Sequence, residues 1–259
     1  MGNVKLIKGK AVLMLLILLV SAGCSTSEPG NSISHTEANK PETVHKETSE
    51  PCKAEIDWVD FVMINNIKYH QNYEGTQEVS DSELGGKVGE ITFNANEQAC
   101  LDYTMKNGDA AFLPVGTAIY AMKGYKPEFR IVADHKVYEV NENPNAATMG
   151  DLLDIHGRVE KVSLESGDDG SAIGDFTPEA STAFVDGLLP LAYVGFDEVY
   201  KKSQSESGVF LRVHLKDGTS FRMVYYPKAN AFNAGAFGTE QLRTLIMSQR
   251  MQIKAAAGL

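Results

Sequence analysis

The sequence predicts a protein of the α+β class: a β-rich domain over residues 55–142, then an α+β domain over residues 150–259 with an antiparallel sheet and two main helices. Three observations lead there. Residues 56 to about 140 carry short runs of Val, Ile, Phe and Tyr punctuated by glycines and turn residues. The stretch "GVFLRVHLKDGTSFRMVYY" alternates apolar and polar residues on both sides of Asp217-Gly218, the pattern of a hairpin. Two later stretches repeat apolar residues at helical spacing between clear start and stop signals.

In the first domain, "FVMINNIKYH" places two β-rich runs around Asn65 and Asn66, side chains that tolerate the positive φ of a tight turn. "GEITFNA", "AAFLPVGTAIYAMKGY" and "FRIVADHKVYEV" supply further strands, with "DHK" as a turn, so a small sheet or open barrel is expected. "NENPNAATMG" reads as a connector. In the second domain "HGRVEKVSLE" predicts a strand, followed by a turn-rich segment through Asp168 and Gly170. Thr177 then caps a helix that begins at Pro178, with Ala180, Phe184, Val185, Leu188 and Leu191 recurring at helical spacing until Pro190 ends the pattern. The last helix begins after Thr239, with Glu240 in its first turn and Leu242, Leu245 and Ile246 on one face. The two halves share no extended matching string.

Ahead of these domains the chain opens with Lys5, Lys8 and Lys10 and then the run "AVLMLLILLV". Ten to thirteen apolar residues rise only about 15 to 20 Å as a helix, against a hydrocarbon core of roughly 30 Å, so they read as the core of a signal peptide. The residues "LVSAGC" that follow resemble the lipobox of bacterial lipoproteins, although Ser21 stands where that pattern prefers leucine. The resemblance implies cleavage between Gly23 and Cys24, which makes residues 1–23 the signal and Cys24 the lipidated first residue. The residue types suit that chemistry. Ala22 and Gly23 let a peptidase approach the backbone, and a cysteine thiol can form a thioether. Residues 24–54, rich in Ser, Thr, Glu and Pro, bury too little apolar surface to fold and read as a disordered tether.

Charge agrees with an exported destination. Without the three signal-peptide lysines the chain keeps 21 basic residues against 34 acidic, a net of −13, which disfavours nucleic acid and adsorption to anionic lipid. With Cys24 lipidated, Cys52 and Cys100 remain as an even pair, and outside the cytoplasm such a pair suggests a disulfide.

Signals of chemistry are weak. There is no Gly-x-Ser-x-Gly elbow, Walker loop or His-Glu-x-x-His helix. "GGKVGE" around Lys87 lacks the spacing of a phosphate loop, and Asp168 to Gly170 read as a turn rather than a calcium ligand set. His135, His156 and His214 are the histidines in the stretch from 130 onward that could act as functional groups: Asp154 and His156 would share a face if they lay on a strand, but no third ligand accompanies them, and His214 is expected to be solvated beside Arg212 and Phe210. No metal and no cofactor are expected. Aromatic residues of the first domain, Trp58, Tyr120, Tyr125 and Phe129, offer a candidate binding surface for a peptide or glycan.

The segments "IDWVDFVMINNIKY", "VGEITF", "GDAAFLPVGTAIYAMKGY" and "EFRIVAD" resemble uncharacterised surface lipoproteins of Bacillus-type Gram-positive bacteria. That resemblance implies export and lipidation and carries no activity. The functional expectation is a membrane-anchored, extracytoplasmic, non-enzymatic binding or interaction module. It would be held to the cell membrane by the lipid on Cys24 and face an envelope protein, peptide or glycan. The alternative is an envelope hydrolase whose catalytic residues the sequence does not place.

Overall fold

The structure, a computed structural model, describes residues 56–259. The segments expected to be signal peptide and tether, with Gly23, Cys24 and Cys52, lie outside the described residues. Within them the chain is a mixed α/β protein, mostly strands with five helices, and it belongs to one compact unit.

The first half supplies β1 (Phe61–Ile64), β2 (Ile67–Gln71), β3 (Leu84–Glu90), β4 (Phe93–Asn94), the short helix α1 (Ala95–Gln98), β5 (Asp109–Ala110), β6 (Ala118–Met122), β7 (Arg130–Ala133) and β8 (Lys136–Glu142). They form one sheet in the order β3-β6-β7-β8-β2-β1-β5-β4, antiparallel except for the β4–β5 pair. The β1–β2 hairpin turns at Asn65 and Asn66, with φ of 53° and 61°, as their side chains predicted. Asp134 and His135 make the equivalent left-handed turn between β7 and β8.

One face of this sheet is lined by Val62, Ile64, Tyr69, Ile119, Ile131 and Tyr138, all buried. The sheet curls around them. Gly89 of edge strand β3 comes so close to Ile64 of β1 that a Cβ there would lie 2.0 Å from Ile64 Cδ1, although several strands separate the two in the sheet. Expectation and structure differ in part here: "GEITFNA" holds the end of β3 and the short β4, while most of β3 lies upstream of it, over Leu84 to Val88, with glycines at 85, 86 and 89. Those glycines suit the two register shifts of β3 against β6, because a bulged edge needs residues without side-chain demands.

After the connector and the one-turn helix α2 (Met149–Leu152), the second half contains β9 (Val159–Glu165), β10 (Ala172–Asp175), α3 (Pro178–Leu188), α4 (Phe196–Ser203), β11 (Val209–Leu215), β12 (Ser220–Tyr226), β13 (Ala231–Phe232), β14 (Ala236–Phe237) and α5 (Glu240–Ala257). The sheet order is β10-β9-β11-β12-β13-β14, antiparallel throughout. Helices α3 and α5 begin where their signals place them: Thr177 and Thr239 accept hydrogen bonds from Ala180 and Leu242, and Pro178 sits at the first turn. Their apolar faces, Phe184, Leu188, Leu242 and Ile246, cover the buried face of the sheet formed by Val162, Leu164, Leu211, Val213 and Met223. Helix α4 went unread in the sequence. Among the described residues no helix is long and apolar enough to cross a membrane.

Several contacts tie the first sheet to the second. Phe129, just before β7, meets Phe221 of β12 edge to face at 6.1 Å. The turn after β2 docks on the start of β12: Asn72 Nδ2 donates to Ser220 O at 2.7 Å, and Ser220 N donates to Gly75 O at 2.8 Å. Gly75 is required by that approach, because a Cβ would fall 1.7 Å from Ser220 O. Gly75→Val therefore lifts the turn off β12 and costs about 2 kcal/mol or more of stability, as overpacking of a tight contact does. Equilibrium urea unfolding checks it, and a loss within the scatter of surface substitutions would show that the contact is looser than drawn.

Candidate functional site

A polar cavity of ≈ 210 Å³ lies where β2 and β8 of the first sheet face β12 and the β13–β14 turn. His70, near the end of β2, is half-buried against it. Alternation along β2 explains the placement, since Ile67 and Tyr69 take the core side and Lys68 and His70 the other. Burial, aided by the nearby Lys68 ammonium, pushes the imidazole pKa down to about 4, so the ring is neutral at ordinary pH. His70 makes no side-chain hydrogen bond with any described residue.

Glu139 of β8, the register partner of His70, also borders the cavity. Its carboxylate is held by the fully buried Arg130 guanidinium on the neighbouring strand, through both Nε and Nη2. Arg130 also donates from Nη1 to Thr219 at 2.8 Å, lies 3.7 Å from the Asp217 carboxylate, and is flanked by the rings of Tyr125 and Phe129 at 4.6 and 5.0 Å. Burial raises the Glu139 pKa, opposed chiefly by the Arg130 charge. Asp217 resists its own burial through hydrogen bonds from Thr219 and Tyr125, which hold its carboxyl below the usual range. This cluster locks the hairpin of the second sheet to the first and leaves Glu139 unavailable as a base.

Among the described residues that line the cavity there is no serine, threonine, cysteine, lysine or aspartate. Arg222, at its edge, is paired with Glu165 at 3.0 Å. The open hydrogen-bonding capacity lies with His70, the Gln71 side-chain amide, Asn141 Oδ1 and the Asn233 Nδ2 group, whose partner atom Oδ1 is taken by Val224 N at 2.8 Å.

A second cluster has the composition of a hydrolytic triad. Ser163 Oγ lies 2.8 Å from His214 Nε2 and 2.7 Å from Asp175 Oδ1. The proton count argues against that use. Asp175 is held ionised against its own burial by hydrogen bonds from Lys161 and Ser163, so it can only accept. The one Ser163 proton then goes to Asp175, and His214 Nε2 must donate to Ser163 instead of taking its proton. Ser163 is also only 1% exposed. His214, expected to be solvated, is half-buried here.

The other sequence candidates are dispersed. Phe129 is in the core, and Tyr125 lies between the Arg130 and Arg158 guanidinium groups, the latter at 4.8 Å. Trp58 packs edge-on against Phe61 and Tyr103, while Tyr120 stands on β6, across the strand order from β1. These four residues do not form one patch. Asp154 and His156 precede β9 in a loop rather than sharing a strand, and Asp154 instead accepts from Lys126 N and Arg158. His135 sits exposed in its turn with Nδ1 2.9 Å from Val79 O. Lys87 pairs with Glu90 at 2.7 Å, and Asp168 to Gly170 form the turn between β9 and β10. Among the described residues no group of three or more His, Cys, Asp or Glu could hold a metal ion. Cys100 is disulfide-bonded. An exposed stacked pair on α4, Phe196 and Tyr200 with centroids 5.5 Å apart beside exposed Val194, is an aromatic surface that the sequence reading missed.

No protein family, no curated protein and no solved structure matches the chain at a significant level.

The depressed pKa of His70 has a measurable sign. The unfolded imidazole takes its proton near pH 6.5 and the folded one only near 4. The contribution of His70 is therefore intact above about pH 6.5 and is lost as the pH falls through about 4, on the order of 2 kcal/mol. Glu139, raised by burial, works in the opposite direction, so the comparison is with His70→Asn. Between pH 7.5 and 4, urea melts should show the parent chain losing on the order of 2 kcal/mol more than the variant. Equal losses would place the ring in water.

Proposed function

We propose that this chain is a lipid-anchored lipoprotein on the extracytoplasmic face of a bacterial cell membrane, and that it binds a ligand of the envelope without transforming it. Cleavage before Cys24 and diacylation of its thiol hold the chain to the bilayer, at about 0.8 kcal/mol per buried methylene. The tether over 24–54 spaces the folded part from the headgroups. The folded part is two modules, a β-rich one over 55–142 and an α+β one over 150–259, docked through the Arg130 cluster. Envelope protein, peptide or glycan is the partner class, and nucleic acid is disfavoured by the net charge.

The observation that carries the binding reading is the His70 cavity. It offers uncommitted hydrogen-bonding groups, and its one carboxylate is bound to Arg130. A site so built can recognise a molecule; its lining holds no hydroxyl, thiol or amine nucleophile, and its one unprotonated base, the His70 imidazole, is made a weak one by burial.

The contact between Ser163, His214 and Asp175 motivates the hydrolase alternative, and it supplies the test. The full chain, treated with a fluorophosphonate reagent that phosphonylates activated serines with loss of fluoride, should carry no adduct on Ser163. An adduct there that disappears in His214→Ala would overturn the binding reading in favour of the hydrolase.

A further inference from the structure

Resting on the binding reading and going beyond it, we propose that the His70 cavity takes a small, electrically neutral, polyhydroxylated molecule of about one sugar ring. Charge sets the first restriction. Glu139 shares Arg130 with Asp217, and Arg222 shares Glu165 with Arg212, so each charged group at the cavity already faces a counter-charge. A charged ligand would bring an uncompensated ion into a half-buried space, at a cost of several kcal/mol.

Hydrogen-bonding capacity sets the second. The neutral His70 ring offers one donor and one acceptor, the Gln71 amide offers both, and Asn233 Nδ2 adds donors. Hydroxyl groups match such a mixture because each gives and takes, whereas a ligand with carbonyls alone would leave the His70 acceptor nitrogen unused.

Size sets the third. The volume of ≈ 210 Å³ equals about seven waters, room for a single ring whose hydroxyls replace the bridges those waters would make. The aromatic residues Phe129 and Phe221 among the lining give the C–H faces of such a ring an apolar wall.

Isothermal titration calorimetry of the full chain in detergent tests the assignment. The probes are D-glucose and N-acetyl-D-glucosamine, with D-glucuronate and D-glucosamine as charged counterparts. At least one neutral sugar should bind saturably at or below about 10 mM, tenfold or more tightly than either charged counterpart. His70→Phe, which fills the cavity, and Asn233→Asp, which keeps the acceptor for Val224 N and removes the donor, should each weaken that binding at least tenfold, with thermal melts confirming that each is folded. If His70→Phe does not fold, Asn233→Asp decides alone. No saturable neutral binding, or binding unchanged in the folded variants, overturns the assignment. Tighter binding of a charged counterpart that is lost in those variants overturns neutrality alone and leaves the binding reading standing. That reading fails separately, through the Ser163 adduct.

Discussion

Arg130→Met should lower the unfolding free energy by about 3 to 5 kcal/mol. The Arg130 guanidinium is 0% exposed, and its removal strands the Glu139 carboxylate, whose side chain is only 13% exposed, without its counter-charge. Thr219 loses a donor, and the Tyr125 and Phe129 rings lose the cation between them. Arg130→Lys should recover little, because an ammonium cannot span Glu139 and Thr219 with a planar fork or stack on two rings. The double variant Arg130→Met with Glu139→Leu should recover most of the loss, since replacing a whole buried pair by apolar groups is often near neutral. Urea unfolding of the four proteins reads all of this. A single Arg130→Met loss below about 1 kcal/mol would mean that the cluster is decoration and that other contacts hold the two sheets together.

Reduction of the Cys100 disulfide should cost about 4 kcal/mol in the chain-entropy account if, as we propose, its partner is Cys52, because the bond then closes a loop of 49 residues between positions 52 and 100. Cys24 is the other candidate by count, and lipidation would consume its thiol. With Cys52 as the partner, the bond would staple residue 52 beside the aromatic cluster of Trp58, Phe93 and Tyr103. Thermal melts with and without reductant give the size of the effect, and peptide mapping gives the pairing. A peptide joining Cys52 to Cys100 supports it; alkylation of both thiols without reduction, or a Cys24 to Cys100 peptide, contradicts it.

What could be read in advance was local. Asn65-Asn66 and Asp217-Gly218 announced their hairpins through left-handed backbone and alternation, and Thr177-Pro178 and Thr239 announced helices through capping. Helix α4 also left a signal, with Phe196, Val199, Tyr200 and Ser203 at helical spacing, acids in its first turn and lysines in its last, but its eight residues follow a glycine and look like a loop. The candidate site was less legible, since it joins residues from 70 to 234 that no local pattern links. His70 ends an apolar run and matches no motif, and it was passed over beside His135, His156 and His214. The Arg130–Glu139 pair did have a signal: counting outward from the Asp134-His135 turn puts residues 130 and 139 opposite each other, and opposite charges at a cross-strand position attract. The aromatic surface failed as a single patch because Phe129, placed near turn residues, is needed between the two sheets.

The central claim, anchorage through Cys24, is tested most directly by the mass of the mature N-terminal peptide, with metabolic incorporation of radiolabelled fatty acid as its companion. The account predicts a peptide that begins at Cys24 and carries diacylglycerol, label in the intact protein, and loss of both in Cys24→Ala, whose signal remains attached. A mature chain beginning elsewhere without lipid, or Cys24→Ala protein labelled to the normal extent, would contradict it.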